Sequence, residues 1–145
     1  MTSQPNPLCR DRRTILLVED EPFVREATSG ILRQAGFEVL SAEDAQQATA
    51  IFSESIAASP QSIDLVMTDM ILPGRTGHQL ADDLRQISPE LPVLVTSGYF
   101  NAEYETEDAG SHLYFLAKPY SRRTLIDKIA SILNAPLAQA ASQAS

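Results

Sequence analysis

The sequence predicts an α/β fold in which β-strands and α-helices alternate along the chain. Short continuous apolar runs, such as 15–18 and 63–68, have the length and composition of strands that are buried on both faces of a sheet. Between these runs lie segments whose apolar residues recur every three or four positions, as in helices that cover a sheet. Five strands alternating with five helices favour one doubly wound parallel sheet with helices on both faces.

The first half of the chain contains two strands and two helices. Pro22 begins a helix after the strand at 15–18, and Gly36 ends it. The residues of this helix that we expect to face the sheet are Val24, Ala27, Ile31 and Ala35. The second strand is the weaker run 37–40, and Asp44 is placed to cap the second helix. The apolar residues of that second helix are Ala45, Ala48, Ile51, Phe52 and Ile56.

The second half repeats the alternation. The third strand, 63–68, is followed by a loop over 70–77 whose glycines are expected to serve turns. The third helix starts at the end of this loop and has three apolar residues on one face: Leu80, Leu84 and Ile87. The remaining elements are a strand at 93–96, a helix in the acidic segment 101–110, a strand at 113–117 and a helix at 121–134. The last helix is expected to bury Leu125, Ile129, Ile132 and Leu133.

Composition limits the size and the partners of this fold. A chain of 145 residues with 43% hydrophobic content is sufficient for one domain with a complete core. The predicted boundaries are a flexible lead over 1–13, a folded domain over 14–134 and a disordered tail over 135–145. A formal net charge of −8 argues against direct contact with nucleic acid, which requires clustered Lys and Arg.

Cysteine usage and hydropathy indicate the compartment. Cys9 is the only cysteine, so no internal disulfide can form, which fits a reducing cell interior. No segment has the pattern of a signal peptide or the length of a membrane span. We therefore expect a cytoplasmic protein that does not associate with a membrane.

Three acids follow strands at the points where the strands end. Glu19 and Asp20 come after the first strand, and Asp69 comes after the third. Because the carboxyl ends of parallel strands meet at one edge of a sheet, these carboxylates are expected to lie close together. Glu19 and Asp20 could instead serve the entry to the helix at Pro22, and Asp69 could be a turn residue. The three together suit Mg²⁺, a hard cation that prefers oxygen ligands.

A hydroxyl group and an ammonium group reach the same edge of the sheet. Thr96 or Ser97 supplies the hydroxyl after the fourth strand, and Lys118 supplies the ammonium after the fifth. A carboxylate such as Asp69 is a nucleophile for phosphoryl transfer, and the new negative charge would be balanced by a cation and an ammonium. A cis bond between Lys118 and Pro119 would fix the direction of the lysine.

These residues form four motifs that resemble the receiver domain of two-component response regulators. In chain order the motifs are Val18-Glu19-Asp20-Glu21-Pro22, Met67-Thr68-Asp69-Met70-Ile71-Leu72-Pro73-Gly74, Val95-Thr96-Ser97-Gly98 and Ala117-Lys118-Pro119-Tyr120. Each motif alone is a weak signal, but all four in this order and at these spacings are specific. The resemblance covers about 14–134, and it implies a flavodoxin-like sheet with strand order 2-1-3-4-5.

The resemblance implies a role for each acid. Asp69 would accept a phosphoryl group from the phosphohistidine of a sensor histidine kinase or a histidine phosphotransfer protein. Asp20 and Asp69 would bind Mg²⁺ directly and Glu19 through water, and the backbone carbonyl of Ile71 would complete the protein ligands. Glu19 departs from the family pattern, in which Asp is more usual at that position.

The resemblance also implies a switch. Lys118 would pair with the phosphoryl oxygens, and Ser97 would move to donate a hydrogen bond to the phosphoryl group. The aromatic side chain of Phe115 would rotate into the space that Ser97 leaves, which changes a surface that a downstream protein binds. Ser97 is preferred to Thr96 as the switch hydroxyl because it directly precedes the small Gly98.

Other functions are less consistent with these residues. A phosphatase of the haloacid-dehalogenase type needs a second acid two residues after the nucleophile, where this chain has Ile71. In an FMN protein the acids at 19–21 would repel the phosphate, and in a degenerate receiver the full set of acids, hydroxyl and lysine would not be expected. We therefore predict a signalling phosphoacceptor without an output domain, which catalyses only its own phosphorylation and dephosphorylation. The sequence leaves the kinase, the downstream partner and a homodimer open.

Overall fold

The computed structural model describes residues 13–98 and 112–144, with side chains as far as Leu133. The strands are β1 (Thr14–Val18), β2 (Glu38–Ala42), β3 (Leu65–Asp69), β4 (Ile71–Leu72), β5 (Arg75–Thr76), β6 (Val93–Ser97) and β7 (Leu113–Ala117). The helices of this described part are α1 (Pro22–Gln34), α2 (Ala45–Ala58), α3 (Gly77–Ile87) and α4 (Arg122–Ala144). The helix expected at 101–110 lies outside the described residues.

Five of the strands form one parallel sheet in the order β2-β1-β3-β6-β7. Because β6 and β7 are the fourth and fifth strands of the sheet along the chain, the expected order 2-1-3-4-5 is confirmed. The other two strands, β4 and β5, form a short antiparallel hairpin directly after β3. This arrangement brings the ends of β1, β3, β6 and β7 to one edge.

The core has two layers, one on each face of the sheet. Alternate strand residues point to opposite faces, so each strand contributes to both layers. On one face the sheet packs against buried residues of α2 and α3, namely Ala45, Ala48, Phe52, Leu80, Ala81 and Leu84. On the other face it packs against α1 and α4 through Leu32, Leu125, Ile129 and Ile132. The expected placement of helices on both faces is therefore confirmed.

The buried face of α1 differs from the expected one. The helix begins at Pro22, as predicted, and Glu21 caps it by accepting a hydrogen bond from the backbone N–H of Phe23. Its buried residues are Thr28, Ser29 and Leu32, whereas Val24, Ala27 and Ala35 are exposed and Ile31 is half-buried. The helix is rotated by about one residue position, because apolar spacing alone does not distinguish adjacent faces and Leu32 packs deeply. The prediction of this face was wrong.

Three further differences concern the ends of elements. The loop over 70–77 contains the hairpin of β4 and β5, with Gly74 at φ 75° in its turn. Ile87, at the end of α3, is 45% exposed rather than buried. The last helix continues to Ala144, through most of the segment predicted as a disordered tail. That segment is rich in alanine, which favours helix. Across the described ranges, no helix combines the length and the apolar character that crossing a membrane requires.

Candidate functional site

The structure brings the three predicted acids together at the carboxyl edge of the sheet. Glu19 follows β1 and is 6% exposed, Asp20 is exposed, and Asp69 is the last residue of β3. One carboxylate oxygen from each of them lies within 4.8 Å of the other two. The donor set is three hard oxygens on a partly open edge, which fits a small divalent cation such as Mg²⁺.

The turn between β1 and α1 fixes the direction of Glu19. The Glu19 backbone N–H donates to the carbonyl of Ala42 at 3.0 Å, and its own carbonyl accepts from Arg25 Nη1 at 2.8 Å. Its side-chain Oε2 accepts from the backbone N–H of Glu21 at 3.1 Å. The Glu19 carboxylate is therefore held against the backbone at the start of α1.

The electrostatic surroundings of Glu19 disfavour its charge. Burial, followed by a hydrogen bond and charge repulsion with Asp69, raises the pKa of Glu19 to about 7. The backbone N–H of Glu21 and the charge of Lys118 oppose this rise. A cation bound between the acids would remove the repulsion.

Lys118 supplies the positive charge at the centre of the site. Its Nζ lies 2.5 Å from Asp69 Oδ1 and 3.8 Å from Glu19 Oε1. Burial disfavours its charged form, but the hydrogen bond and the opposite charges of Asp69 and Glu19 outweigh burial and raise the pKa of Lys118 above its ordinary value. Its backbone N–H donates to the carbonyl of Ser97 at 2.8 Å, and the Lys118–Pro119 bond is cis.

The hydroxyl that contacts the Asp69 carboxylate in this structure belongs to Thr96. Thr96 Oγ1 donates to Asp69 Oδ1 at 3.0 Å, and Thr96 is 2% exposed. Asp69 and Thr96 are paired neighbours on β3 and β6, so their side chains project from the same face of the sheet. The sequence favoured Ser97 as the switch hydroxyl because it directly precedes Gly98, and Ser97 stays the prediction for that role. The order of residues alone did not show that Thr96 would contact Asp69.

A cavity of about 240 Å³ lies directly over Asp69. It is lined by Asp69, Met70, Ile71, Thr96, Ser97, Gly98 and Lys118. Ile71, two residues after Asp69, is 63% exposed at the rim of this cavity. The cavity thus combines a carboxylate, an ammonium and two hydroxyls, the groups that would surround a phosphoryl group on Asp69.

The predicted switch pair lies on neighbouring strands. Ser97, at the end of β6, pairs with Ala117 of β7, and Phe115 lies two residues earlier on β7, paired with Val95. Phe115 is half-buried and packs against the core layer that α2 and α3 cover. Phe115 therefore lies two residues before the position on β7 that pairs with Ser97.

Gly77 contacts the backbone of Asp69 and Met70, which the sequence did not indicate. Its N–H donates to the carbonyl of Met70 at 2.6 Å, and a Cβ atom at this position would overlap the carbonyl oxygen of Asp69. The sequence feature that could have indicated this contact is a glycine as the first residue of a helix, where no positive φ requires it. A glycine in such a position is typical of close approach by another segment of backbone.

A doubly wound sheet with acids, hydroxyls and a lysine at its carboxyl edge defines a receiver-type signalling domain. The chain belongs to the response regulator receiver domain family, whose model matches residues 15–130. This confirms the family that the four motifs indicated.

Individual relatives support the same assignment. The chain is 32% identical over 125 residues to the phosphate regulon transcriptional regulatory protein PhoB of Pseudomonas aeruginosa, covering 83% of this chain and 52% of that protein. It is 30% identical over 121 residues to the sensor kinase CckA of Brucella abortus, covering 83% of this chain and 12% of that protein. The chain therefore spans about half, or less, of the length of these curated relatives.

Solved structures show the same fold. The receiver domain of the hybrid histidine kinase CckA matches with a TM-score of 0.67 and 37% identity, covering 83% of this chain and 98% of that one. A response regulator receiver domain protein from Clostridium thermocellum matches with a TM-score of 0.75 and 26% identity, covering 88% and 98%.

Proposed function

We propose that this chain is a phosphoacceptor in which Asp69 receives a phosphoryl group from the phosphohistidine of a sensor histidine kinase or a histidine phosphotransfer protein. The observation that carries the proposal is the contact of 2.5 Å between Lys118 Nζ and Asp69 Oδ1, beside the acids Glu19 and Asp20. An ammonium held on a nucleophilic carboxylate balances the charge that the carboxylate gains on phosphorylation.

The transfer step is a displacement at phosphorus. An oxygen of the Asp69 carboxylate attacks the phosphorus, the phosphorus–nitrogen bond of the phosphohistidine breaks, and the bonding pair stays on the imidazole nitrogen, which takes up a proton from solvent. Lys118 remains beside the phosphoryl oxygens, and the backbone of β3 keeps Asp69 at the cavity mouth. Glu19, Asp20, Asp69 and the backbone carbonyl of Ile71 would hold Mg²⁺, which when bound supplies further positive charge at the transferring oxygens.

The consequence of phosphorylation would be a change of packing near β6 and β7. Ser97 lines the cavity over Asp69 and Phe115 lies behind it on the next strand. A hydrogen bond from Ser97 to the new phosphoryl group would favour the packing in which Phe115 has moved inward. A downstream protein would then bind the surface that this change creates. We further propose that the present chain acts in the cytoplasm.

The proposal is tested by incubating the protein with Mg²⁺ and acetyl phosphate and measuring the intact mass. We expect a gain of one phosphoryl group that Asp69→Asn abolishes and Asp82→Asn, on the exposed side of α3, does not. A gain that persists in Asp69→Asn would show a different acceptor. Absence of any gain would indicate a degenerate receiver, and steady release of phosphate from added monoesters would indicate a phosphatase.

A further inference from the structure

Two donors converge on one oxygen of the acceptor carboxylate. Asp69 Oδ1 lies 2.5 Å from Lys118 Nζ and 3.0 Å from Thr96 Oγ1. The two donors differ in stiffness. Lys118 reaches the carboxylate from a long side chain that is 31% exposed, whereas Thr96 is 2% exposed and has a single side-chain torsion.

The backbone holds Thr96 in register with the acceptor. Thr96 is the ladder neighbour of Asp69, and its carbonyl accepts a hydrogen bond from the Met70 N–H at 2.8 Å. The other acceptor near its hydroxyl is the carbonyl of Thr68 at 3.5 Å, the limit of a hydrogen bond. The carboxylate of Asp69 is therefore the stronger acceptor, since it is nearer and charged.

We propose that Thr96 is a positioning residue for phosphoryl transfer: its hydroxyl fixes the rotation of the Asp69 carboxylate. Rotation about the bond to a carboxylate is soft, so a carboxylate held by one flexible lysine samples many orientations. A rigid second donor narrows these orientations before the phosphodonor arrives, which lowers the entropic part of the barrier. The inference rests on the proposed phosphoacceptor function.

This role differs from that proposed for Ser97. Both Thr96 and Ser97 line the cavity. Because successive strand residues point to opposite faces of the sheet, their side chains have different neighbours. Thr96 contacts the carboxylate before transfer, and Ser97 would respond to the phosphoryl group after it. Two adjacent hydroxyls would thus have different roles. Thr96 would orient the Asp69 carboxylate, and Ser97 would respond once Asp69 is phosphorylated.

The test compares Thr96→Val, which keeps the shape and removes the hydroxyl, with Thr96→Ser, which keeps the hydroxyl and removes a methyl group. The rate of Asp69 phosphorylation is measured with Mg²⁺ over a range of acetyl phosphate concentrations. We expect Thr96→Val to lower the maximal rate roughly tenfold, the effect of one hydrogen bond to a charged group. The half-saturating acetyl phosphate concentration should change little, and Thr96→Ser should restore most of the rate.

If Thr96 served only in packing, the two variants would rank in the opposite order of phosphorylation rate. Removal of a methyl group from a buried site would then make Thr96→Ser the worse variant, and Thr96→Val would phosphorylate like the wild type. Either result overturns the positioning role but leaves the phosphoacceptor function intact. Wild-type protein that is never phosphorylated overturns both.

A second measurement does not depend on activity. The ¹³C chemical shift of the Asp69 carboxyl carbon, in protein free of Mg²⁺ and phosphodonor, should move in Thr96→Val and stay near the wild-type value in Thr96→Ser. An unchanged shift in Thr96→Val contradicts the hydrogen bond on which the inference depends. If Thr96→Val shows no cooperative melting, the comparison of Thr96→Ala with Thr96→Ser tests the same point.

Discussion

Glu19 is a buried acid whose neighbours make its charge unfavourable. The pKa of its carboxyl group is raised from 4.5 to about 7 in the fold, first by burial and then by Asp69. The folded state therefore binds this proton more tightly than the unfolded chain. The resulting stabilisation is fully present below pH 4.5 and is lost as the pH rises through about 7.

We predict that Glu19→Gln and the wild type respond differently to pH when no divalent cation is present. The variant carries no charge to penalise, so its stability relative to the wild type should rise between pH 4.5 and pH 8 by on the order of 1 to 3 kcal/mol. Urea denaturation in EDTA measures the difference, with Glu43→Gln at an exposed position as control. A difference that is independent of pH would contradict the prediction.

Ile71 is an apolar residue at the rim of the cavity over Asp69, and its side chain would stand near the path of a hydrolytic water. We predict that Ile71→Asn shortens the lifetime of the phosphoryl group by roughly threefold or more, because an amide can orient a water that isoleucine excludes. Loss of the phosphoryl group is followed by intact mass after removal of the donor. Ile87→Asn, at the exposed end of α3, is the control, and equal decay rates for Ile71→Asn and the wild type would disprove the idea.

At the scale of elements, the start of α3 packs directly on the end of β3. Gly77→Ala would place a methyl group against the carbonyl of Asp69, so the helix or the strand must shift. We predict a loss of about 2 kcal/mol in unfolding free energy and slower phosphorylation of Asp69. Gly30→Ala in α1 is the matched control, since nothing lies within 4 Å of its added Cβ and alanine favours helix. It should leave stability unchanged or raise it.

The elements differ in how well the sequence predicted them. The ends of the strands buried on both faces were predicted to within two residues of those in the structure. Short continuous apolar runs such as 15–18 are typical of such strands. The face of α1 was misplaced, since Thr28 is buried there and its hydroxyl bonds to Tyr120, a contact between residues distant in the chain. The hairpin after β3 was missed because strands of two residues have no periodicity.

The candidate site was predictable to the extent that sheet topology determines it. Any parallel sheet with this strand order gathers the residues after β1, β3, β6 and β7, so Glu19, Asp20, Asp69 and Lys118 were found from position alone. The contact between the Thr96 hydroxyl and Asp69 was not predictable in this way, and Ser97 stays the predicted switch hydroxyl. This contact depends on the register between β3 and β6, which only the structure supplies.

At the scale of the whole molecule, an exposed apolar residue adjoins the acidic site. Phe23 is 85% exposed in the first turn of α1, three residues after Asp20. An exposed aromatic beside a charged site is suited to contact with a partner protein. We predict that Phe23→Ala slows phosphorylation of Asp69 by a phosphorylated histidine kinase roughly tenfold and leaves phosphorylation by acetyl phosphate unchanged.

The comparison of the two donors separates docking from chemistry. Acetyl phosphate needs only the cavity, whereas a protein donor must also contact the surface around it. Ile87→Ala, an apolar truncation at the other end of the sheet, should not affect either donor. An equal loss with both donors in Phe23→Ala would mean that the substitution disturbs the site itself.

The contact between Gly77 and the backbone of Asp69 also bears on how the proposed phosphorylation could alter the packing. Because α3 lies against the carbonyl of Asp69, β3 could not shift toward α3 if a phosphoryl group were added as proposed. The opposite side is open, since the cavity borders β6 and Lys118. Asp69 is therefore closely packed on the side of α3 and borders a cavity on the side of β6. If Asp69 is phosphorylated as proposed, this packing would direct any movement toward β6 and β7.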